Sequence, residues 1–292
     1  MSKSLIIDGC NLIHRTYWTA KTQLRDEGDE DKLNNYHVYF TLNAIKSYVN
    51  MYKPDNIFVC WDEKINYQPN ERKKEFEAYK GNRSGDVDMH RNNDKIKTFL
   101  TALGIPSFFP QALEADDVIA YLCDTLEGQK IILSVDKDFL QLVSASVIVY
   151  DPIRKKETNL VNFTENVKCE LHDFLIIKGL MGDKSDNVSG IPGYGKVKVS
   201  KFLKNEVKLT EDEYKVYQRN IELFRLTKYA DKDMISEKEY YDQQLETSRT
   251  VSPNFKEFIS LCEGSNISSI LNKKEDWYGL FFVKHKLASI FK

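Results

Sequence analysis

The chain has 292 residues, of which 41% are hydrophobic and 29% charged, and a formal net charge of −2. This suits one large soluble domain or two smaller ones; no apolar run is long enough to span a membrane, and the N-terminus lacks a signal-peptide core. Five scattered cysteines without a CxxC pair argue against a zinc ribbon or disulfide framework and fit a reducing cytoplasm, the expected location.

Ser4–Ile7 reads as a short buried strand that ends at Asp8–Gly9. A helix pattern follows around Leu12–Trp18. Residues 21–35, including the acidic stretch Asp26–Asp31, read as a polar loop. His37–Met51 carries Val38, Phe40, Leu42, Ile45 and Val49 at helical spacing. Asn56–Trp61 is a second buried strand, ending at Asp62. Lys64–Arg91 is nearly free of aliphatic residues and reads as a mobile helical excursion or a disordered insertion.

Lys95–Leu103 returns to amphipathic helix, with Gly104 as its stop. Ser107–Phe109 is a short strand, and Asp117–Leu126 a helix ended by Gly128. Lys130–Val135 is a third strong strand, Asp138–Leu142 a helix and Ser146–Tyr150 a fourth strand. Beyond residue 168 the pattern turns helical, at Leu171–Met181, Lys196–Asn205 and Asp212–Leu226. The expected division is an α/β domain over 1–168 and a helical domain over 169–292.

Strands alternating with helices predict a mostly parallel sheet flanked by helices, with ligands outside the carboxyl ends of its strands. Asp8, Asp62 and Asp136 stand at such ends. Glu114 and Asp117 are three residues apart, as are Asp183 and Asp186, and Asp116 and Asp138 complete the set. Crowded carboxylates repel, so a shared site needs protons or hard cations. All-oxygen ligands point to Mg²⁺, with Mn²⁺ as a substitute. Two such ions roughly 3.5–4 Å apart activate water and stabilise the leaving oxygen in phosphodiester hydrolysis. Taken singly, each Asp is as readily a helix cap.

Two further segments bear on a polyanionic partner, which a near-neutral net charge does not exclude. Gly190-Ile-Pro-Gly193-Tyr-Gly195-Lys196-Val-Lys198 enters a helix carrying Lys201. Glycines let backbone approach a phosphate, and flanking lysines add charge. Tyr79-Lys80-Gly-Asn-Arg83 mixes basic and aromatic side chains, suited to phosphate contact and stacking. Glu71, Glu75 and Glu77 partly neutralise it, so a solvated charged face is the alternative.

Together LIIDGCNLIHR, the strand ending in Asp62, YKGNR, LEADDVIA, SVDKDFLQL and MGDKSDNVSGIPGYGK resemble the 5′-nuclease family. That family includes flap endonucleases, phage 5′→3′ exonucleases, the phage ribonuclease H and the nuclease domain of bacterial DNA polymerase I. The resemblance covers residues 5 to about 225, and the compact size looks most like a stand-alone phage enzyme. It implies a PIN-like fold with a helical arch over about 64–95 and a helix-hairpin-helix-like turn. It also implies one metal group from Asp8, Asp62, Glu114, Asp116 and Asp117, and a second from Asp136, Asp138, Asp183 and Asp186.

Lys80 and Arg83 match the arch residues that contact the scissile phosphate. Arg15 matches a basic residue near the site, Tyr79 joins the nucleic-acid contacts, and the Gly190–Lys198 turn grips duplex backbone, with K⁺ as a candidate ligand. The family usually has lysine where Val197 stands. The implied partner is branched or 5′-ended duplex DNA, with RNA-primer removal as a natural task. A monomer is expected, and the tail GLFFVKHKLASIFK packs as a terminal helix or docks a single-strand-binding protein. An HAD-type phosphatase, suggested by Asp136-x-Asp138, and a non-catalytic nucleic-acid-binding protein of this fold stay open.

Overall fold

The computed structural model describes residues 2–24, 29–63, 70–81 and 90–283. Its strands are β1 Lys3–Asp8, β2 Asn56–Cys60, β3 Ser107–Phe108, β4 Gln129–Leu133, β5 Val147–Asp151 and β6 Lys156–Thr158. They form one sheet in the order β3-β2-β1-β4-β5-β6. The first five are parallel, and β6 returns antiparallel to β5. The expected mostly parallel sheet flanked by helices is present. The chain runs from β1 outward to β3, then crosses back to place β4 beside β1. That reversal opens a crevice at the carboxyl ends of β1 and β4.

Period-two alternation sorts the strand side chains into two cores. Leu5, Ile7, Val59, Ile131 and Leu133 face one layer, with Leu12, Ile13, Leu42, Ile45 and Phe99. Ile6, Phe58, Cys60 and Ile132 face the other, with Val118, Ile119, Leu122 and Phe139. Both faces are covered, which is why the strands read as continuous apolar runs.

Several expectations are corrected. The polar stretch 21–35 is not a loop through its described part. The first helix runs Gly9–Leu24 and the second Glu30–Tyr52. Asp29 caps the second by accepting from the Lys32 N–H at 2.9 Å, and Glu30 and Asp31 sit in its first turn. Acidic residues at a helix N-terminus satisfy its free N–H groups and dipole, and in sequence they mimic a solvated loop. The Asp138–Leu142 helix is a 3₁₀ turn over Lys137–Leu142. A short hairpin of β7 Gly182–Asp183 and β8 Val188–Ser189 lies between the first two expected helices, where no strand was expected.

The Lys64–Arg91 insertion, where described, is docked. Glu71–Glu75 is a short helix, and Arg72 and Tyr79 are buried. Tyr79 packs with Val188, Leu223 and Phe224. Residues 64–69 and 82–89 lie outside the described residues.

The 169–292 segment does not pack as one body. Leu171–Met181, Lys196–Leu203 and Glu211–Phe224 surround a small core of Leu180, Ile191, Tyr194 and Val199. Phe258, Cys262, Ile270, Trp277 and Phe281 instead join the first sheet core. Among the described residues no helix is long and apolar enough to cross a membrane.

Candidate metal centre

Asp8 ends β1 and is buried. Its Oδ1 accepts the Asn11 N–H at 3.0 Å and its Oδ2 accepts the Ser134 hydroxyl at 2.7 Å. Burial pushes its carboxyl up to about 6, helped by the charges of Asp62 and Asp136 and resisted by those two hydrogen bonds. Asp62, two residues beyond β2, accepts the Ala115 N–H at 2.8 Å. That bond ties the β2 end to the first turn of the Ala115–Thr125 helix, which carries Asp116. Burial raises Asp116 well above the carboxylate range; Lys80 pulls it down, and Asp136, Asp62 and Asp8 push it up. Asp136 caps the turn after β4 by accepting the Asp138 N–H at 2.8 Å. Four carboxylates from three strand ends and one helix start therefore share one field, in which Asp136, expected in the second group, faces Asp8 and Asp116 as well as Asp138.

Glu114 stands at the edge of this group. Its oxygens accept from Lys80 Nζ at 2.7 Å, Tyr79 Oη at 2.9 Å and Arg72 at 3.3 Å. Burial opposes its ionisation, yet Lys80 and Arg72 hold it down at about 2. Lys80 itself has a left-handed backbone, φ 52°. Burial opposes its charge, but Glu114, Tyr79, Asp116 and Asp62 hold the ammonium protonated.

A second group forms around Lys178. Its ammonium pairs with Asp138 and lies 3.2 Å from Asp183. Burial, with Asp136 and Asp186, lifts Asp138 to about 6 against the pull of Lys178. Asp183 sits lower than usual despite desolvation, because the Ser185 hydroxyl and Lys178 stabilise its charge. Asp186 is buried, and its carbonyl accepts the Lys80 N–H at 2.8 Å, linking the two groups.

Other expected site residues are engaged by protein partners or lie outside the described residues. Asp117 is fully buried and gives both oxygens to Arg72, at 2.6 and 2.8 Å, so it is a structural counter-ion instead of a cation ligand. Tyr79 is 3% exposed and spends its hydroxyl on Glu114, which removes it from base stacking. Arg15 donates to the Tyr48 hydroxyl at 3.0 Å and lies over that ring, on the side of the sheet facing the Glu30–Tyr52 helix. Arg83 lies outside the described residues.

The glycine turn is built as a close crossing. A Cβ on Gly190 would meet the Met181 carbonyl oxygen at 2.2 Å, and Gly193 has φ +79°. Gly195 caps the Lys196–Leu203 helix. Lys196, Lys198 and Lys201 line a shallow depression with exposed Val197. Lys198 is partly committed, lying 3.8 Å from the Tyr194 ring centre and 3.3 Å from Glu213.

Sequence reasoning missed four positioning residues. Arg72 looks like its neighbours Lys73 and Lys74, but it alone is buried, donating to Asp117, Glu114 and the carbonyls of Leu223 and Arg225. Glu237 accepts the N–H groups of Gln111 and Ala112 at 2.8 and 3.0 Å, fixing the loop that delivers Glu114. Ser134 gave no local signal. Lys178 did: a lone lysine directly after the apolar run Phe174–Ile177, five residues before Asp183.

The donor set fits hard divalent cations, since the carboxylates repel one another and the one neighbouring thiol, Cys10, is kept protonated by burial and by Asp62 and Asp8. Among the described residues, no three His, Cys, Asp or Glu side chains stand in a ready-made coordination sphere. The oxygens are held by Ser134, Asn11, Ala115 and the two lysines.

A family model for the 5′-3′ exonuclease N-terminal, resolvase-like domain matches residues 3–170. The 5′-3′ exonuclease of Mycoplasmopsis pulmonis is 32% identical over 210 residues, covering 70% of this chain and 66% of that protein. The flap endonuclease Xni of Shewanella amazonensis is 31% identical over 209 residues, covering 70% and 78%. Bacteriophage T5 5′-exonuclease with bound zinc aligns with a TM-score of 0.65 at 19% identity, covering 84% of this chain and 99% of that one. Flap endonuclease-1 from Methanococcus jannaschii gives 0.53 at 15%, covering 97% and 94%. At such identities these likenesses carry the fold alone. The class is a nuclease built on a resolvase-like, mostly parallel sheet. The chain belongs to the 5′-3′ exonuclease family, which sets aside the HAD-type phosphatase.

Proposed function

We propose that this chain is a Mg²⁺-dependent, structure-specific 5′ nuclease. It hydrolyses phosphodiesters at or near a 5′ end or flap junction of duplex DNA. One observation carries this reading. Asp8, Asp62 and Asp136 from three strand ends gather with Asp116 from a helix start, Ser134 bonding Asp8 and Asp136 and the Ala115 N–H bonding Asp62, and Lys80 stands at their edge beside Glu114. The exonuclease and flap endonuclease activities named for the relatives support the same reading.

A bound divalent pair supplies Lewis acidity, acidifying water and neutralising charge on phosphodiester oxygens. Asp8, Asp62, Asp116 and Asp136 would hold one ion, and Asp138, Asp183 and Asp186 the other. Ser134 and Asn11 fix the Asp8 carboxylate, and Ala115 fixes Asp62. Lys80, kept protonated beside Glu114, stabilises negative charge on the phosphate. Arg83 is proposed to share that task.

The Gly190–Lys198 turn holds duplex backbone, so binding is salt-sensitive and tolerant of sequence. A K⁺ ion at that turn, RNA-primer removal, a monomeric state and docking of a single-strand-binding protein by the C-terminal tail belong to the same proposal. Residues 284–292 of that tail lie outside the described residues.

The test is a labelled 5′ flap incubated with Mg²⁺ and with EDTA, with product lengths resolved. Cleavage near the junction in Mg²⁺ alone supports the reading. Equal cleavage in EDTA, or binding without cleavage, refutes it.

A further inference from the structure

We infer that Lys178 is a resident cation of the second carboxylate group, and that it must leave its seat before that group takes a divalent ion. The inference rests on the metal reading above. Lys178 Nζ pairs with Asp138 and lies 3.2 Å from Asp183, so one ammonium bridges two proposed ligands. The seat is built. The side chain is 10% exposed, and the ammonium lies 4.4 Å from the ring centre of Phe224. Phe224 is buried at the end of the Glu211–Phe224 helix, and its carbonyl accepts Gln141, which also donates to the Asp138 carbonyl. Ring, turn and carboxylates therefore form one pocket around the ammonium.

The first group has no such occupant. Among the described residues, Asp8, Asp62, Asp116 and Asp136 make no ion pair, and Lys80 pairs with Glu114 at their edge. One group is short of positive charge, and the other is already neutralised in part. A cation entering the second group must displace an ammonium as well as shed water, so its net gain is smaller. The first ion therefore fills the first group, and the second binds more weakly.

Displacement is feasible because the lysine head rides on a flexible four-carbon stem. A backbone phosphate at the site offers that head a new partner. Nucleic acid and the second ion then favour each other, by equal factors in both directions. Lys178 thus makes full cation loading depend on substrate.

The test counts Mn²⁺ bound to the full chain without nucleic acid, reading free Mn²⁺ by electron paramagnetic resonance. Wild type is expected to show one tight site and a second about 10-fold or more weaker. Lys178→Met keeps the stem and removes the charge. It is expected to tighten the second site about 10-fold and leave the first within twofold. Lys178→Arg, which keeps the charge, is expected to retain the weak second site. An unchanged second site in folded Lys178→Met overturns the inference and leaves the metal reading standing. Absence of Mn²⁺ binding in wild type overturns both.

Should Lys178→Met not fold, the Lys178 ammonium resonance in ¹⁵N-labelled wild type decides, assigned by its loss in Lys178→Arg. It is expected to hold through the first equivalent of Mg²⁺ and to move with the second. Movement with the first, or none at all, overturns the inference.

Discussion

The Ser134 hydroxyl donates to Asp8 Oδ2 at 2.7 Å, joining the ends of β4 and β1 where the chain reverses its order across the sheet. The Ser134 Oγ also accepts the Asp136 N–H at 3.0 Å, so one serine orients two proposed ligands. Ser134→Ala should keep the fold and lower cation affinity. Losing one hydrogen bond to a charged group costs about 1.5–3 kcal/mol, or roughly 10-fold or more in the Mg²⁺ concentration for half-maximal cleavage. A Mg²⁺ titration of single-turnover cleavage checks this. The shift should exceed the loss at saturating Mg²⁺.

Asp8 also carries a stability cost when no cation is present. Its folded pKa is about 6 against an ordinary 3.8. A raised folded pKa means the folded state takes up the proton first. The benefit is full below 3.8 and is lost as pH rises through 6. In EDTA at pH 7.5, Asp8→Asn should therefore be more stable than wild type by up to about 3 kcal/mol. The difference should shrink between pH 6 and pH 4. Urea melts across that range measure it, and added Mg²⁺ should stabilise wild type far more than the variant.

Arg72 and Asp117 make a fully buried ion pair, and Arg72 also ties the helix ending at Phe224 to the acidic loop. Removing one partner leaves an uncompensated buried charge, which costs about 3–5 kcal/mol. Arg72→Met should destabilise by that order in urea. Arg72→Met with Asp117→Leu should recover a large part, because neither charge then needs a partner. A double variant no better than the single would show that Arg72 acts chiefly through its carbonyl contacts.

Lys80 is held by Glu114 yet feels Asp116 and Asp62. Lys80→Ala should slow single-turnover cleavage by about 10²-fold or more, a loss typical of one transition-state donor. Duplex affinity should stay within a few-fold, since the Gly190–Lys198 turn is a separate contact. Fluorescence anisotropy beside rapid-quench kinetics separates the two effects. An unchanged rate would remove Lys80 from the chemistry.

The sheet was legible because strands buried on both faces read as apolar runs, and their terminal aspartates mark the crevice that topology creates. The sorting of individual carboxylates was not. Asp116 and Asp117 are neighbours, but adjacent helical residues point about 100° apart. One meets the acidic cluster; the other meets Arg72, 45 residues away in sequence. No local pattern contains that partner. Tyr79 misled for the same reason, since its ring is buried by Val188 and Leu223, both far from it in sequence. Beyond residue 226 the sequence offered little: Ile235–Ser248 lacks an apolar stripe, and the apolar face of Phe255–Gly264 says that a face is buried but not which sheet face receives it.

The central claim is that carboxylates from separate strands act together as a cation seat beside a nucleic-acid strand. Single-turnover cleavage of a labelled 5′ flap in Mg²⁺ by the Asp8→Asn, Asp116→Asn double variant tests it most directly, with flap affinity measured in parallel. The account predicts a fall of at least about 10³-fold in rate, the scale of losing charge stabilisation at the reacting phosphate, with affinity within a few-fold of wild type. Cleavage at near wild-type rate by the folded double variant would contradict it.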